Sequence, residues 1–292
     1  MGMRRLDGPR HETPFGGTVR LIFTDIDGTF VDADKRITPG VRAAARETVR
    51  RGLPLAFATG RMYRSVRPWL QELGLNGLQI VSNGAEIVRP EDGSYVERLA
   101  FGPSATSWLM RLGESHGFVP LVFSCHGLYV TGPFEGEELL ARNNEYATYR
   151  PAEELRGLSS EKIVYLATGE RVPVLERLAE EMAVMERPAD VDFTAVFSES
   201  GILNIIPRGA SKLNAIRTVC ARLGCSLADV MAIGDGDNDA EMLAGVGCGV
   251  AMGNATERAR LAANFQVDDH LHDGAAQALE FAWSHAPASA KS

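Results

Sequence analysis

A chain of 292 residues, 45% hydrophobic and 23% charged, is long enough for two domains with ordinary cores and too apolar for global disorder. Its net charge of −8 argues against nucleic acid or an anionic membrane surface as partner, so an anionic substrate would have to be met by local cations or a metal. No run approaches the roughly eighteen apolar residues of a membrane span, and residues 1–17 lack the apolar core of a secretory signal.

Residues 1–17 therefore read as a flexible tail. Residues 19–23 are an apolar run, the pattern of a buried parallel strand, and they lead into Asp25-Ile26-Asp27-Gly28-Thr29. Acids at the carboxyl end of such a strand stand where open α/β sheets place active sites. Two carboxylates that close need a cation or a shared proton between them, and magnesium is the natural oxygen-loving cation. Taken alone, the same residues also fit a solvated Asp-Gly turn.

Thr38-Pro39 is a helix start signal, and the helix is expected to run to about Arg51. A second strand over 53–58 ends at Thr59-Gly60-Arg61, where a hydroxyl and free backbone N–H groups can meet a phosphate. A helix over 62–73, a strand over 78–82 and a turn at Asn83-Gly84-Ala85 follow. The strand-helix rhythm then breaks. Strands at 86–88 and 95–101, a helix over 104–116, strands at 118–124 and 128–131 and a polar helical stretch over 135–149 are expected. A strand at 162–167, a helix at 172–185 and strands at 193–198 and 202–206 complete the segment. This mixed pattern predicts an inserted domain over 85–205.

The core resumes with Ser211 capping a helix to Leu223 that carries Lys212 in its first turn. A cation there opposes the helix dipole and asks for an offsetting anion, and Lys212 is one of only four lysines among 30 basic residues. A strand over 230–233 ends at Gly234-Asp235-Gly236-Asp237-Asn238-Asp239. This acid cluster suggests a metal site, and an EF-hand is excluded because its twelfth position would be Val246. Asn254 reads as a helix cap, and a helix over 273–285 finishes the core before a second tail at 287–292.

The ordered set resembles the haloacid dehalogenase-like hydrolase superfamily. Asp25-Ile26-Asp27-Gly28-Thr29 resembles its first motif, Thr59-Gly60-Arg61 its second, Lys212 its third and Gly234-Asp235-x-x-Asn238-Asp239 its fourth. Only 34 positions separate Asp25 from Thr59, against 153 from Thr59 to Lys212. An insertion at that place is similar to the cap of subclass IIB, Cof-type phosphatases. The resemblance implies a doubly wound, Rossmann-like α/β core with a parallel sheet, at 18–84 and 206–286, and an α+β cap at 85–205. It implies Asp25 as nucleophile and Asp27 as acid and then base. Thr59, Gly60, Arg61, Lys212 and Asn238 would bind substrate phosphate, and Asp25, Asp27 (by its backbone carbonyl), Asp235 and Asp239 would hold Mg²⁺.

The expected activity is hydrolysis of a small phosphorylated metabolite in the cytoplasm, with specificity in the cap, no nucleic-acid or membrane partner, and homo-oligomer formation left open. Four cysteines without zinc-like spacing fit reduced thiols there. Leu213 and Asn204 depart from the family pattern, which often has Gly and an acid at these positions. One rival is a phosphomannomutase-like mutase, for which Arg98, Arg111, Arg142, Arg150 and Lys162 are the cap cations. Another is a receiver domain, against which the insert and second acid cluster stand.

Overall fold

The computed structural model describes residues 4–5 and 15–287, so most of the two expected tails lies outside the described residues. The chain divides into two compact units, residues 1–96 with 211–292, and residues 97–210. The insert thus begins at residue 97 rather than 85 and ends at 210 rather than 205.

The first unit contributes β1 (Arg4–Arg5), β2 (Leu21–Thr24), α1 (Pro39–Arg50), β3 (Leu55–Phe57), α2 (Tyr63–Leu73), β4 (Gln79–Val81) and β5 (Glu86–Val88), and β6 (Tyr95–Arg98) runs into the second. The second unit holds α3 (Pro103–Ser115), β7 (Leu121–Ser124), β8 (Gly127–Val130), α4 (Glu137–Arg142), β9 (Ala147–Tyr149), α5 (Ala152–Arg156), β10 (Lys162–Leu166), α6 (Val172–Val184), β11 (Phe193–Glu199) and β12 (Ile202–Pro207). The chain returns through α7 (Lys212–Leu223), β13 (Val230–Gly234), α8 (Ala240–Gly245), β14 (Cys248–Ala251), α9 (Glu257–Ala262), β15 (Phe265–Gln266) and α10 (Gly274–Ser284).

The core sheet has the order β1-β15-β14-β13-β2-β3, and every pairing in it is parallel. Its strands alternate between two cores. Ile22, Leu55, Phe57, Met231 and Ile233 pack with Val41, Val66 and Leu279 of α1, α2 and α10. Leu21, Phe23, Ala56 and Ala232 pack with Ile216, Met242 and Ala259 of α7, α8 and α9. Both faces are covered, as a two-residue side-chain period in an all-apolar strand requires, so the doubly wound core is as expected. The chain leaves β2 toward β3 on one side and returns as β13 on the other, which makes the carboxyl ends of β2 and β13 a topological switch point.

The second unit carries a six-stranded sheet, β11-β12-β10-β7-β8-β9, antiparallel except for β8 with β9. Tyr165, Ile163, Leu203 and Ile205 of this sheet pack on Leu109 of α3 and Leu175 and Met182 of α6. The polar stretch expected to be helical over 135–149 is helical only at α4. Ala147–Tyr149 pairs with Leu128–Val130 instead, its backbone donors and acceptors taken by the sheet edge. No helix among the described residues is long and apolar enough to cross a membrane.

The tail also differs from expectation where it is described. Arg4–Arg5 pairs with Phe265–Gln266, and the Phe15 ring packs edge-on to Phe265 and against Phe281.

Candidate active site

Every residue of the candidate site belongs to the first unit. β2 delivers Asp25 and Asp27 where its ladder ends: the Asp25 N–H still donates to Ile233 O at 2.8 Å, and Gly28 then turns the chain at φ 75°. A side chain at Gly28 would run into the Asp235 carboxylate, so close approach and positive φ both require glycine there. Thr59 and Gly60 follow β3, held to β4 by the Thr59 N–H to Ile80 O bond of 3.0 Å. Ser211 caps α7, its hydroxyl accepting the Asn214 N–H at 3.1 Å, and this seats Lys212 at the first position of the helix.

Lys212 supplies the link expected of it. Its Nζ lies 2.7 Å from Asp25 Oδ1 and 2.6 Å from Asp239 Oδ1, with the lysine side chain 2% exposed. Burial alone would depress this ammonium, but Asp239 and Asp25 carry it above its ordinary value. Asp239 is closed on its other side as well: Oδ2 accepts the backbone N–H groups of Asp235 and Gly236, both at 2.9 Å. Asp239 is thus tied to Lys212 and to two backbone N–H groups, while one of its oxygens still lies among the three acidic atoms that could hold a cation.

One carboxylate oxygen from each of Asp25, Asp235 and Asp239 lies within 4.8 Å of the others. Burial first, then the neighbouring carboxylates, pushes the Asp25 carboxyl up to about 7, even with Lys212 pulling it down. Burial, then Asp25 and Asp239, pushes Asp235 up to about 8. This excess of negative charge, all of it on hard oxygen donors, fits a divalent cation such as Mg²⁺.

Asp27 behaves differently. Arg61 Nε and Nη2 reach its two oxygens at 2.7 and 2.6 Å, and Lys35 Nζ lies 2.6 Å from Oδ1. Burial would raise this carboxyl, but the Arg61 fork and Lys35 overcome it and hold the group below its ordinary range. Arg61, expected on phosphate, is thus engaged with Asp27, its guanidinium lying 5.0 Å from the Trp69 ring centroid.

Four residues of the site were given no binding or catalytic role from sequence. Lys35 pairs with Asp27. The Thr29 hydroxyl donates to Asp235 Oδ1 at 2.7 Å. Asn254 Nδ2 donates to Asp235 Oδ2 at 3.1 Å and to Gly28 O at 2.8 Å. The helix-cap role expected of Asn254 belongs to Thr256, which accepts the Ala259 N–H at 3.2 Å. Asn83, expected only as a turn residue, accepts Asn238 Nδ2 at 3.3 Å. The rarity of lysine could have drawn attention to Lys35, and the family-like stretch over 249–255 to Asn254; Asn83 carries only the signal of an Asn-Gly turn.

The departures have structural accommodations. Leu213 is buried in the core under α7 with Ile216 and Val219. Asn204, in the second unit, donates to Ser198 Oγ at 3.0 Å. Among the cations a mutase would use, Arg98 lies 3.3 Å from Glu161, Arg150 3.8 Å from Glu154, and Lys162 sits 4.0 Å over the Phe123 ring.

A parallel α/β core with an acidic, lysine-bridged switch-point site and an α/β insert after the second strand end defines a two-unit hydrolase class. A family profile described as haloacid dehalogenase-like hydrolase matches residues 22–279. The chain is 30% identical over 273 residues to an HMP-PP phosphatase of Serratia proteamaculans, covering 92% of this chain and 96% of that one. It is 30% identical to an HMP-PP phosphatase of Yersinia enterocolitica, over 81% and 84% of the two chains. Among solved structures, a haloacid dehalogenase-like hydrolase from Bacteroides thetaiotaomicron shares the fold with a TM-score of 0.79 at 24% identity, over 90% of this chain and 98% of that one. The chain belongs to the haloacid dehalogenase-like hydrolases, and within them to subclass IIB.

Proposed function

We propose that this chain is a Mg²⁺-dependent phosphatase that hydrolyses a small phosphomonoester through an aspartyl-phosphate on Asp25. The observation that carries the reading is the Asp25–Lys212–Asp239 bridge beside Asp235, a buried arrangement with more negative charge than its one lysine offsets. The likeness to two HMP-PP phosphatases supports a phosphatase reading.

Lys212 occupies Oδ1 of Asp25, and Oδ2 has no hydrogen bond among the described residues, so Oδ2 is the atom for in-line attack on phosphorus. Thr59, Gly60, Lys212 and Asn238 then bind the phosphoryl oxygens. The Thr59 oxygen already accepts the Arg61 N–H at 3.2 Å, which leaves its proton to donate. Asp25 and Asp235 side chains and the Asp27 carbonyl would hold Mg²⁺, with Asp239, Thr29 and Asn254 fixing the carboxylates. Bound there, the metal supplies neutralisation of the carboxylates and of the charge developing on the phosphoryl group.

Asp27 is held as a carboxylate, which suits the second half of the reaction, where it takes a proton from the water that attacks the acyl phosphate. The same group then returns that proton to the next leaving oxygen. Arg61 and Lys35 make its acid form scarce, so leaving groups that depart without a proton are favoured.

The mutase alternative gains no specific support: of the cap cations named for it, Arg98 and Arg150 pair with Glu161 and Glu154, and Lys162 sits over the Phe123 ring. The cytoplasm suits the four cysteines, all free thiols. The test is phosphate release from p-nitrophenyl phosphate with Mg²⁺, with EDTA, and with Asp25→Asn and Asp27→Asn. Activity that needs Mg²⁺, vanishes in Asp25→Asn and falls about 10²- to 10⁴-fold in Asp27→Asn is expected. A folded wild type that releases nothing, or an Asp25→Asn variant as active as wild type, overturns the reading.

A further inference from the structure

Ser82 and Asn83 are consecutive, neither is glycine, and both lie in the left-handed region, at φ 51° and 55°. That backbone disfavours any residue with a Cβ, Asn least, and it persists only where surrounding contacts hold it. Three elements do so. The Ser82 N–H donates to Arg61 O and the Asn83 N–H to Thr59 O, both at 2.9 Å. The Ser82 hydroxyl donates to the buried Glu86 at 2.7 Å. Gly84, at φ 91°, lies so close to the backbone of Ser211, next to Lys212, that no Cβ would fit. The turn is thus braced on the loop carrying Thr59 and on the helix start carrying Lys212.

Asn83 reaches a third loop through its side chain, where Oδ1 accepts the Asn238 Nδ2. Its own Nδ2 is buried, lacks a hydrogen-bond partner among the described residues, and would lie 3.2 Å from a Cβ placed on Gly60. A left-handed backbone and an unsatisfied amide at one residue, 3% exposed, both weigh against the fold. Such a residue is better explained by what it does for the site than by what it does for stability.

We propose that Asn83 is a positioning residue for the phosphoryl group. An amide can stand either way round, and only one way offers phosphate a donor instead of a carbonyl oxygen. By accepting one Nδ2 hydrogen of Asn238, Asn83 selects the orientation that leaves the second hydrogen for a phosphoryl oxygen. A reversed Asn83 would set two NH₂ groups against each other. The inference rests on the phosphatase reading, because it takes Asn238 as a phosphoryl contact.

Asn83→Gly removes the amide and inserts the residue most at ease at positive φ, so the variant is expected to fold and to melt no lower than wild type. Inhibition of p-nitrophenyl phosphate hydrolysis by inorganic phosphate would be measured for wild type, Asn83→Gly, Asn238→Ala and the double variant. Asn83→Gly is expected to weaken inhibition about fivefold to tenfold, and to add almost nothing in the Asn238→Ala background. Inhibition equal to wild type, or two effects that simply multiply, would overturn the positioning role and leave the phosphatase reading standing. An Asn238→Ala protein inhibited like wild type removes the contact on which the inference depends and overturns it too. If wild type itself does not turn over, it is the phosphatase reading that has failed.

Discussion

Arg61 grips Asp27 at both carboxylate oxygens, through Nε at 2.7 Å and Nη2 at 2.6 Å, from a side chain only 4% exposed. A planar fork fixes the plane of a carboxylate as well as its charge, which a lysine cannot do. Arg61→Lys is therefore expected to lower kcat on p-nitrophenyl phosphate, whose leaving group departs without a proton, about tenfold to hundredfold with little change in KM. The limb of the kcat–pH profile that reports Asp27 should move upward, because the larger of its two cationic partners is weakened. Profiles of both proteins on p-nitrophenyl phosphate, extended as far below pH 4 as the folded protein allows, would check this, and an unmoved limb would show that Arg61 does not govern Asp27.

Lys212 and Asp239 form a fully buried pair, with side chains 2% and 0% exposed. Removing the cation takes the ammonium partner from two buried carboxylate oxygens, Asp239 Oδ1 and Asp25 Oδ1. Lys212→Met is expected to cost about 3–5 kcal/mol of stability, a fall of roughly 10 °C in Tm, together with loss of activity. Adding Asp239→Asn should restore part of the Tm without restoring turnover. Thermal unfolding of the three proteins decides it, and a Lys212→Met protein as stable as wild type would contradict the buried-charge argument.

The raised carboxyls of Asp25 and Asp235 carry a definite pH signature. Both bind protons more tightly when folded, at about 7 and about 8, than the ordinary 3.8. Between those values the folded state holds more protons than the unfolded state, so stability from these groups falls as pH rises from about 4 to 8. Asp27, held below its ordinary range, acts in the opposite sense and only at the acid end. The metal-free protein is expected to melt lower at pH 8 than at pH 5.5. Added Mg²⁺ should raise Tm more at pH 8, since binding competes with protons at the same oxygens. Scanning calorimetry at the two pH values, with EDTA or with Mg²⁺, would show it; an equal Mg²⁺ effect at both would count against metal binding at this cluster.

Much of the core was legible because its signals are local. The Thr38-Pro39 helix start is realised, Thr38 accepting the Val41 N–H at 3.2 Å. Ser211 caps α7 as expected, and the apolar runs ending at Asp25 and Gly234 became adjacent strands. The cation in the first turn of α7 asked for an anion, and it has two. The insert was less legible. Its boundary fell within β6, the last strand of a third small sheet, β4-β5-β6, and Ala147–Tyr149 became a strand through a neighbour rather than through its own propensity.

By itself the sequence determined the doubly wound core, the order of the four acidic, hydroxyl and lysine motifs, and the place where a second unit interrupts them. Apolar periodicity, caps and motif spacing act over a few residues, so they can be read along the chain. Only the tertiary structure decided what each polar group touches. It set Arg61 and Lys35 against Asp27 and tied Asp239 to Lys212 and to two backbone N–H groups. It also set Asn83 and Asn254 against residues 155 and 19 positions away. Those pairings are long-range hydrogen bonds selected by burial and by the need to satisfy charge, and no local pattern encodes them.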